Sequence, residues 1–178
     1  MGFCVFNQAA IAALHARQQH GLRRVAVIDF DVHHGNGTQQ AFYDDAEAFY
    51  GSSHQSPFYP GTGSRQESGV ARNIVNIPLS RGAGSAEFRE RMVADMLPAL
   101  RRFAPELLII SAGFDAHHLD PLGGLQLTDD DFAWITRELM AIAAATAQQR
   151  VVSVLEGGYS LEGLASGTAA HVRTLMDA

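Results

Sequence analysis

At 178 residues the chain is long enough to bury a core, and its 47% apolar and 18% charged residues make an ordinary globular composition. The formal net charge, 13 basic minus 19 acidic or −6, comes without any basic run, which argues against a nucleic-acid or anionic-membrane surface. A lone cysteine, Cys4, excludes an intrachain disulfide and a thiolate cluster, so any metal falls to histidines and carboxylates.

The opening, "MGFCVFNQ", lacks the basic-then-apolar plan of a secretory leader. Phe6 stands where a myristoylation site needs Ser or Thr. No stretch approaches the roughly 18 apolar residues of a membrane span, and a cytoplasmic protein is expected. "GFCVF" is nonetheless very apolar for a free chain end and reads like the middle of something.

Asn7 is placed to cap a helix running to about His20, closed by Gly21. "RVAVIDF" (24–30) is a short β-branched run and predicts a buried strand. A short helix is expected over 37–44 and a strand over 47–53, followed by a loop rich in Ser, Pro and Gly from His54 to Ala71. "NIVNIPL" (73–79) predicts a strand. Ser85 then caps a helix to about Phe103 that Pro98 is expected to kink or split. "ELLIISAG" (106–113) is another buried strand. Thr128 with Asp131 forms a capping-box pattern for a helix to about Gln148. "RVVSVLEGG" (150–158) gives the last strand, before a C-terminal helix. This alternation predicts an α/β protein with a mostly parallel sheet covered on both faces. In such sheets, sites form beyond the carboxyl ends of the strands.

The first strand ends in "DFDVHHGNG" (29–37). Alternation along a strand puts Asp29, Asp31 and His33 on one face, neighbours about 6.6 Å apart, with Phe30 and Val32 turned to packing. Asp31 and His33 can converge on one ion if the strand ends in a turn, which Gly-Asn-Gly supplies. Asp29 lies one step deeper and must bind a second cation or hold a histidine. The second strand end, "SAGFDAHHLDPLGG" (111–124), offers Asp115, His117, His118 and Asp120 as donors, and spacing does not choose among them. The third, "LEGGYS" (155–160), uses two glycines to turn tightly and bring Tyr159 inward, where its hydroxyl can stabilise a carbonyl oxygen gaining charge; a tyrosine packed on a helix start is the plainer reading. In "SPFYPGTGS" (56–64), Phe58 and Tyr59 are suited either to walling an apolar channel or to local packing.

Five segments, "GFCVFNQAAIAA", "DFDVHHGNGTQQAFY", "FYPGTGS", "SAGFDAHHLDPLGGLQLT" and "LEGGYSLEGLA", resemble in this order the histone deacetylase superfamily. The likeness is greatest to class II and to bacterial acetylpolyamine and acetoin-utilisation relatives. It implies an arginase-like, three-layer α/β/α fold and zinc-dependent hydrolysis of an N-acetyl amide. Carried over by motif, Asp31, His33 and Asp120 are the implied Zn²⁺ ligands, and His117 and His118 are not. Tyr159 is implied to polarise the acetyl carbonyl. Phe3 and Tyr59 flank the channel for an acyl-lysine stem, and Gly2 presents its backbone to it. Asp29 and Ser52, with the backbone of residues 29–33, are implied to hold K⁺ or Na⁺. Leu122 stands where polyamine-specific members carry a carboxylate, which favours acetyl-lysine or a similar acetylated amine over an acetylpolyamine.

The same resemblance marks a departure. The family's general base is a tandem histidine in a "PGHH" loop shortly before the "GFC" segment, and this sequence opens at that segment. Asp29 and Asn36 are the residues implied to support those two imidazoles. The expectation is therefore the carboxyl-terminal part of a deacetylase domain, with an inactive zinc-binding remnant as one alternative and an acetylpolyamine amidohydrolase as another. A two-manganese ureohydrolase of the same fold needs a carboxylate where Gly35 stands. A homo-oligomer is left open.

Overall fold

In the computed structural model, which describes residues 4–177, five strands form one parallel sheet in the order β3-β2-β1-β4-β5. They are β1 (Val25–Asp29), β2 (Ala48–Gln55), β3 (Ile74–Leu79), β4 (Leu107–Ala112) and β5 (Val151–Leu155). Helices α1 (Gln8–His20), α2 (Asn36–Phe42), α3 (Ser85–Arg91), α4 (Leu97–Phe103), α5 (Asp129–Thr146) and α6 (Leu161–Met176) connect and cover them. No helix of the described residues is long and apolar enough to cross a membrane.

Strand alternation sorts the apolar side chains into two layers. Ala26, Ile28, Phe30, Leu108 and Ile110 pack with Phe88, Met96, Phe132 and Leu139 from α3 to α5. Val25, Val27, Leu107 and Ile109 face the small residues Ala9, Ala13 and Ala16 of α1. The second layer is thin because alanines let α1 lie close to the sheet. β5 is an edge strand whose side chains are at least partly exposed at every position.

Helix signals fall close to their expected places. Asn7 caps α1 by accepting from Ala10 N at 2.9 Å, and Gly21 closes it. Asp131 Oδ2 accepts from Thr128 N at 2.9 Å at the start of α5. Ser85 is not a cap: Gly84 precedes the helix, and the Ser85 hydroxyl donates to Asp131 Oδ2 at 2.6 Å. The 85–103 segment is divided close to Pro98, as expected. A π-turn over Met92–Met96 joins α3 to α4, and Pro98 sits in the first turn of α4, where an N–H is least needed.

Candidate active site

Parallel register brings the carboxyl ends of β1 and β4 together, with Asp29 level with Ser111. Four residues beyond these partners stand His33 and Asp115. His33 Nδ1 lies 2.9 Å from Asp31 Oδ1 and 3.1 Å from Asp115 Oδ2. One donor atom from each of Asp31, His33 and Asp115 falls within 4.8 Å of the other two, and this is the only such group of three among the described residues.

Asp120, implied as the third ligand, does not join them. Asp115 takes that place because it rises directly off the end of β4, next to β1, whereas Asp120 lies a turn further on with both its oxygens taken by main-chain N–H groups. The imidazoles of the second strand end also stay out. His117 accepts from Leu119 N, and His118 Nδ1 donates to Leu127 O. In the first pair, His34 is buried, with Thr62 Oγ1 at 2.7 Å and Gln39 Oε1 at 2.9 Å of its two nitrogens.

The backbone grips the two acids. Asp31 Oδ2 accepts from Gly157 N at 2.8 Å, and Asp115 Oδ1 accepts from Val32 N at 2.8 Å. Gly157 comes so near that a Cβ there would lie 2.0 Å from Asp115 Oδ2. A side chain at that position would fill the space between the acids.

Five carboxylates gather at this end of the sheet: Asp29, Asp31, Asp115, Asp120 and Glu156. Among the described residues no arginine is ion-paired with any of them. Burial, and then the Asp31 charge, push Asp115 up to about 7. Burial likewise raises Asp29 well above the carboxylate range, with Asp31 adding to it. For His33, burial works downward, but hydrogen bonding and charge from Asp115 and Asp31 carry it up to about 10. Crowded acids that share one imidazole constitute a cation site in search of charge. A set of one nitrogen and two carboxylate oxygens suits Zn²⁺.

The remaining expected residues line the cleft or lie beneath it. Tyr59, Leu122, Tyr159 and Asn36 border a cavity of about 760 Å³. Tyr59 and Leu122 are 58% and 52% exposed at its rim. Burial, followed by the charges of Asp115, Asp31 and Asp120, raises the Tyr159 phenol above its ordinary range. Asn36 Oδ1 is buried with no hydrogen-bond partner. Asp29 is buried at the floor of the cleft and accepts from Asp31 N at 3.1 Å and from the Tyr50 hydroxyl at 2.9 Å. Ser52, beside Asp29 in register, is fully buried, and its hydroxyl donates to His54 Nδ1 at 2.9 Å. Gly2 and Phe3 lie outside the described residues.

Three residues gain weight from the structure. Phe58 stacks on the His33 ring at 5.0 Å and 21°, while Tyr59 meets it edge-on at 6.2 Å. Glu156 Oε1 accepts from Ser111 Oγ at 2.7 Å, with burial raising its pKa. Tyr50 fixes Asp29 from inside a strand. Phe58 was visible as an aromatic loop residue; Tyr50 and Glu156 carried no signal beyond lying in or next to a strand.

The histone deacetylase domain model matches residues 1–175. The chain is 46% identical over 179 residues to "Histone deacetylase 10, chloroplastic" of Oryza sativa subsp. japonica, covering 99% of this chain and 40% of that protein. It is 42% identical to "Polyamine deacetylase HDAC10" of Homo sapiens, covering 98% and 27% respectively. Among solved structures, the HDA15 HD domain superposes with a TM-score of 0.92 at 38% identity, over 99% of this chain and 51% of that one. The chain thus spans about half that domain and less than half of the two proteins just named. Its five parallel strands and flanking helices are those of a deacetylase-like α/β fold.

Proposed function

The chain belongs to the histone deacetylase family, and on that premise we propose that its cleft holds one Zn²⁺ on Asp31, His33 and Asp115 and serves the hydrolysis of an N-acetyl amide. The observation that carries this reading is the convergence of Asp31 Oδ1 and the buried Asp115 Oδ2 on His33 Nδ1, at 2.9 and 3.1 Å, within a ring of acids that no arginine offsets. When bound, such an ion supplies a Lewis acid that polarises a carbonyl and a water.

The chain's own residues supply the rest. Asp31 and Asp115 are held as acceptors by Gly157 N and Val32 N, which fixes where an ion sits. The Tyr159 phenol, its pKa raised, stays protonated at neutral pH and donates to the acyl oxygen as negative charge grows there. Phe58 and Tyr59 shield His33 and give an acyl-lysine stem an apolar wall. Leu122 offers no charge to a second ammonium, so an acetyl-lysine-like substrate is favoured over an acetylpolyamine. Asp29 and Ser52 are assigned to a K⁺ or Na⁺ site below the cleft.

The proton of the attacking water goes, in this reading, to the tandem histidine of a segment outside this sequence. Asn36 Oδ1, buried without a donor, is suited to accept from one of those imidazoles. That orphaned acceptor also favours a second reading, in which the chain alone binds metal without turnover. General-base assistance is worth about 10²- to 10⁴-fold in rate. The experiment is to measure bound metal and hydrolysis of a fluorogenic acetyl-lysine peptide by the chain alone and by the chain fused to an upstream "PGHH" segment from a relative. One zinc per chain, with activity rising at least about 100-fold on fusion, is expected. Two manganese ions per chain would point to a ureohydrolase. Equal activity with and without the segment would overturn the assignment of the base.

A further inference from the structure

We propose that Asp120 is a positioning residue that locks the rim of the cleft to its reactive tyrosine. The inference rests on the roles given above to Tyr159 and Leu122. Asp120 is 8% exposed and its carboxylate accepts four main-chain N–H groups. Oδ1 takes those of Leu122 and Gly123, each at 2.9 Å. Oδ2 takes those of Tyr159 at 2.8 Å and Ser160 at 3.3 Å. The first pair belongs to the turn that follows Asp120 in sequence and presents Leu122 at the rim. The second pair lies 39 and 40 residues further along the chain. It carries the phenol and leads directly into α6, whose N-cap is Ser160.

An ionised carboxylate suits this position by its lone pairs. Two oxygens provide about four acceptor sites and no donor, and four donors point at them. Its charge is also favoured beside the first turn of α6. Asparagine would set an NH₂ group against two N–H groups at one end or the other, whichever way the amide turned. With its acceptor sites taken in this way, Asp120 is committed to the backbone and not to the neighbouring acid cluster. The consequence is mechanical: the turn that screens the incoming acyl chain and the segment that aims the Tyr159 hydroxyl are held by one group and shift together.

The test uses the whole chain labelled with 3-fluorotyrosine. Its four tyrosines give four fluorine resonances, and Tyr159→Phe identifies the one from Tyr159. Asp120→Asn is expected to move and broaden that resonance, to leave the Tyr50 resonance in place, and to keep the parent's zinc affinity. An unmoved Tyr159 resonance overturns the proposal. Loss of zinc binding to the degree produced by Asp115→Asn overturns it in favour of a ligand role. Should Asp120→Asn fail to fold, Asp120→Glu keeps the charge and displaces it by one methylene; an unmoved resonance in that variant is equally fatal. The spectrum is read without metal, so a chain that takes up no zinc defeats the hydrolase reading while leaving this one to be judged separately.

Discussion

The tips of β1 and β4 present two surfaces built from alternate residues of the same segments. On one, Phe30 and Phe114 turn inward and meet edge-on at 6.1 Å, with Phe132 5.0 Å from Phe114 and the buried His171 ring 5.9 Å from Phe30. On the other, Asp31 and Asp115 are pressed together with a single imidazole to share, and Asp29 lies near enough to feel the Asp31 charge. The aromatic side gains from every contact and asks nothing of its surroundings. The acidic side costs stability in the free chain and repays it only when a cation arrives. Stability and chemistry are thus separated by one step in the sequence, and substitutions on the two surfaces should fail in different assays.

The strongest test of that separation is Phe132→Ala. Phe132 is fully buried between Phe30 and Phe114. Truncation should cost about 3–5 kcal/mol in denaturant unfolding, while the fraction that stays folded binds zinc with parent affinity. A parallel loss of affinity would show that the two surfaces are not independent. The converse substitution, Asp115→Asn, keeps the shape and the acceptor for Val32 N. It should weaken zinc binding by about 100-fold or more, roughly 3 kcal/mol. Its metal-free stability should stay within about 1 kcal/mol of the parent, since removing one of two acids competing for His33 relieves repulsion as it loses attraction.

How far each surface could be read in advance follows from the same geometry. The apolar runs of β1 and β4 announced themselves because burial on both faces leaves little but β-branched and aliphatic residues. Asp31 and His33, two residues apart at a strand end, were recognisable as a pair. Asp115 was not separable from Asp120 by spacing, and motif matching favoured Asp120. The proposed set takes Asp115 because of the sheet register, Asp29 beside Ser111, which sets Asp115 level with His33. Register arises from the pairing of segments some eighty residues apart. The four N–H groups around Asp120 depend likewise on two distant loops meeting. Near Pro98 the local rule held, and the interruption takes the form of a π-turn just upstream, over Met92–Met96.

His171 tests whether the aromatic side is as indifferent to charge as its packing suggests. Its Nδ1 lies 2.6 Å from Thr136 Oγ1, whose own proton goes to Phe132 O, and Ser153 Oγ lies 2.9 Å from Nε2. The neutral ring, donating through Nδ1 and accepting at Nε2, satisfies both. Burial alone lowers its pKa to about 4. The unfolded chain therefore takes up a proton at this residue near pH 6.5, before the folded one does. The contribution to stability is complete above that pH and falls away as the pH drops toward 4. Between pH 7 and pH 5 the advantage of the parent over His171→Gln should shrink by about 2 kcal/mol. A difference independent of pH would mean the imidazole takes up its proton in the fold as readily as in the unfolded chain, and one that grew as the pH fell would mean it is already charged in the core.

The smallest effect is expected where neither surface is involved. Arg101 Nη2 and Glu138 Oε2 meet at 3.3 Å across the outer sides of α4 and α5, their side chains 53% and 33% exposed. In water such a pair gains little, because solvent screens the attraction and two long side chains must be held in one arrangement. Glu138→Ala should change unfolding stability by no more than about 0.5 kcal/mol and leave zinc binding untouched. The pair nonetheless bridges two helices of the layer that buries Phe132, so it offers a sensitive check on how rigid that layer is. A loss above about 1 kcal/mol would mean that outer contacts help to hold α5 against the sheet. The core's stability would then reside partly in helix placement, and the clean division between an apolar side that stabilises and an acidic side that binds would have to be redrawn to include the surface.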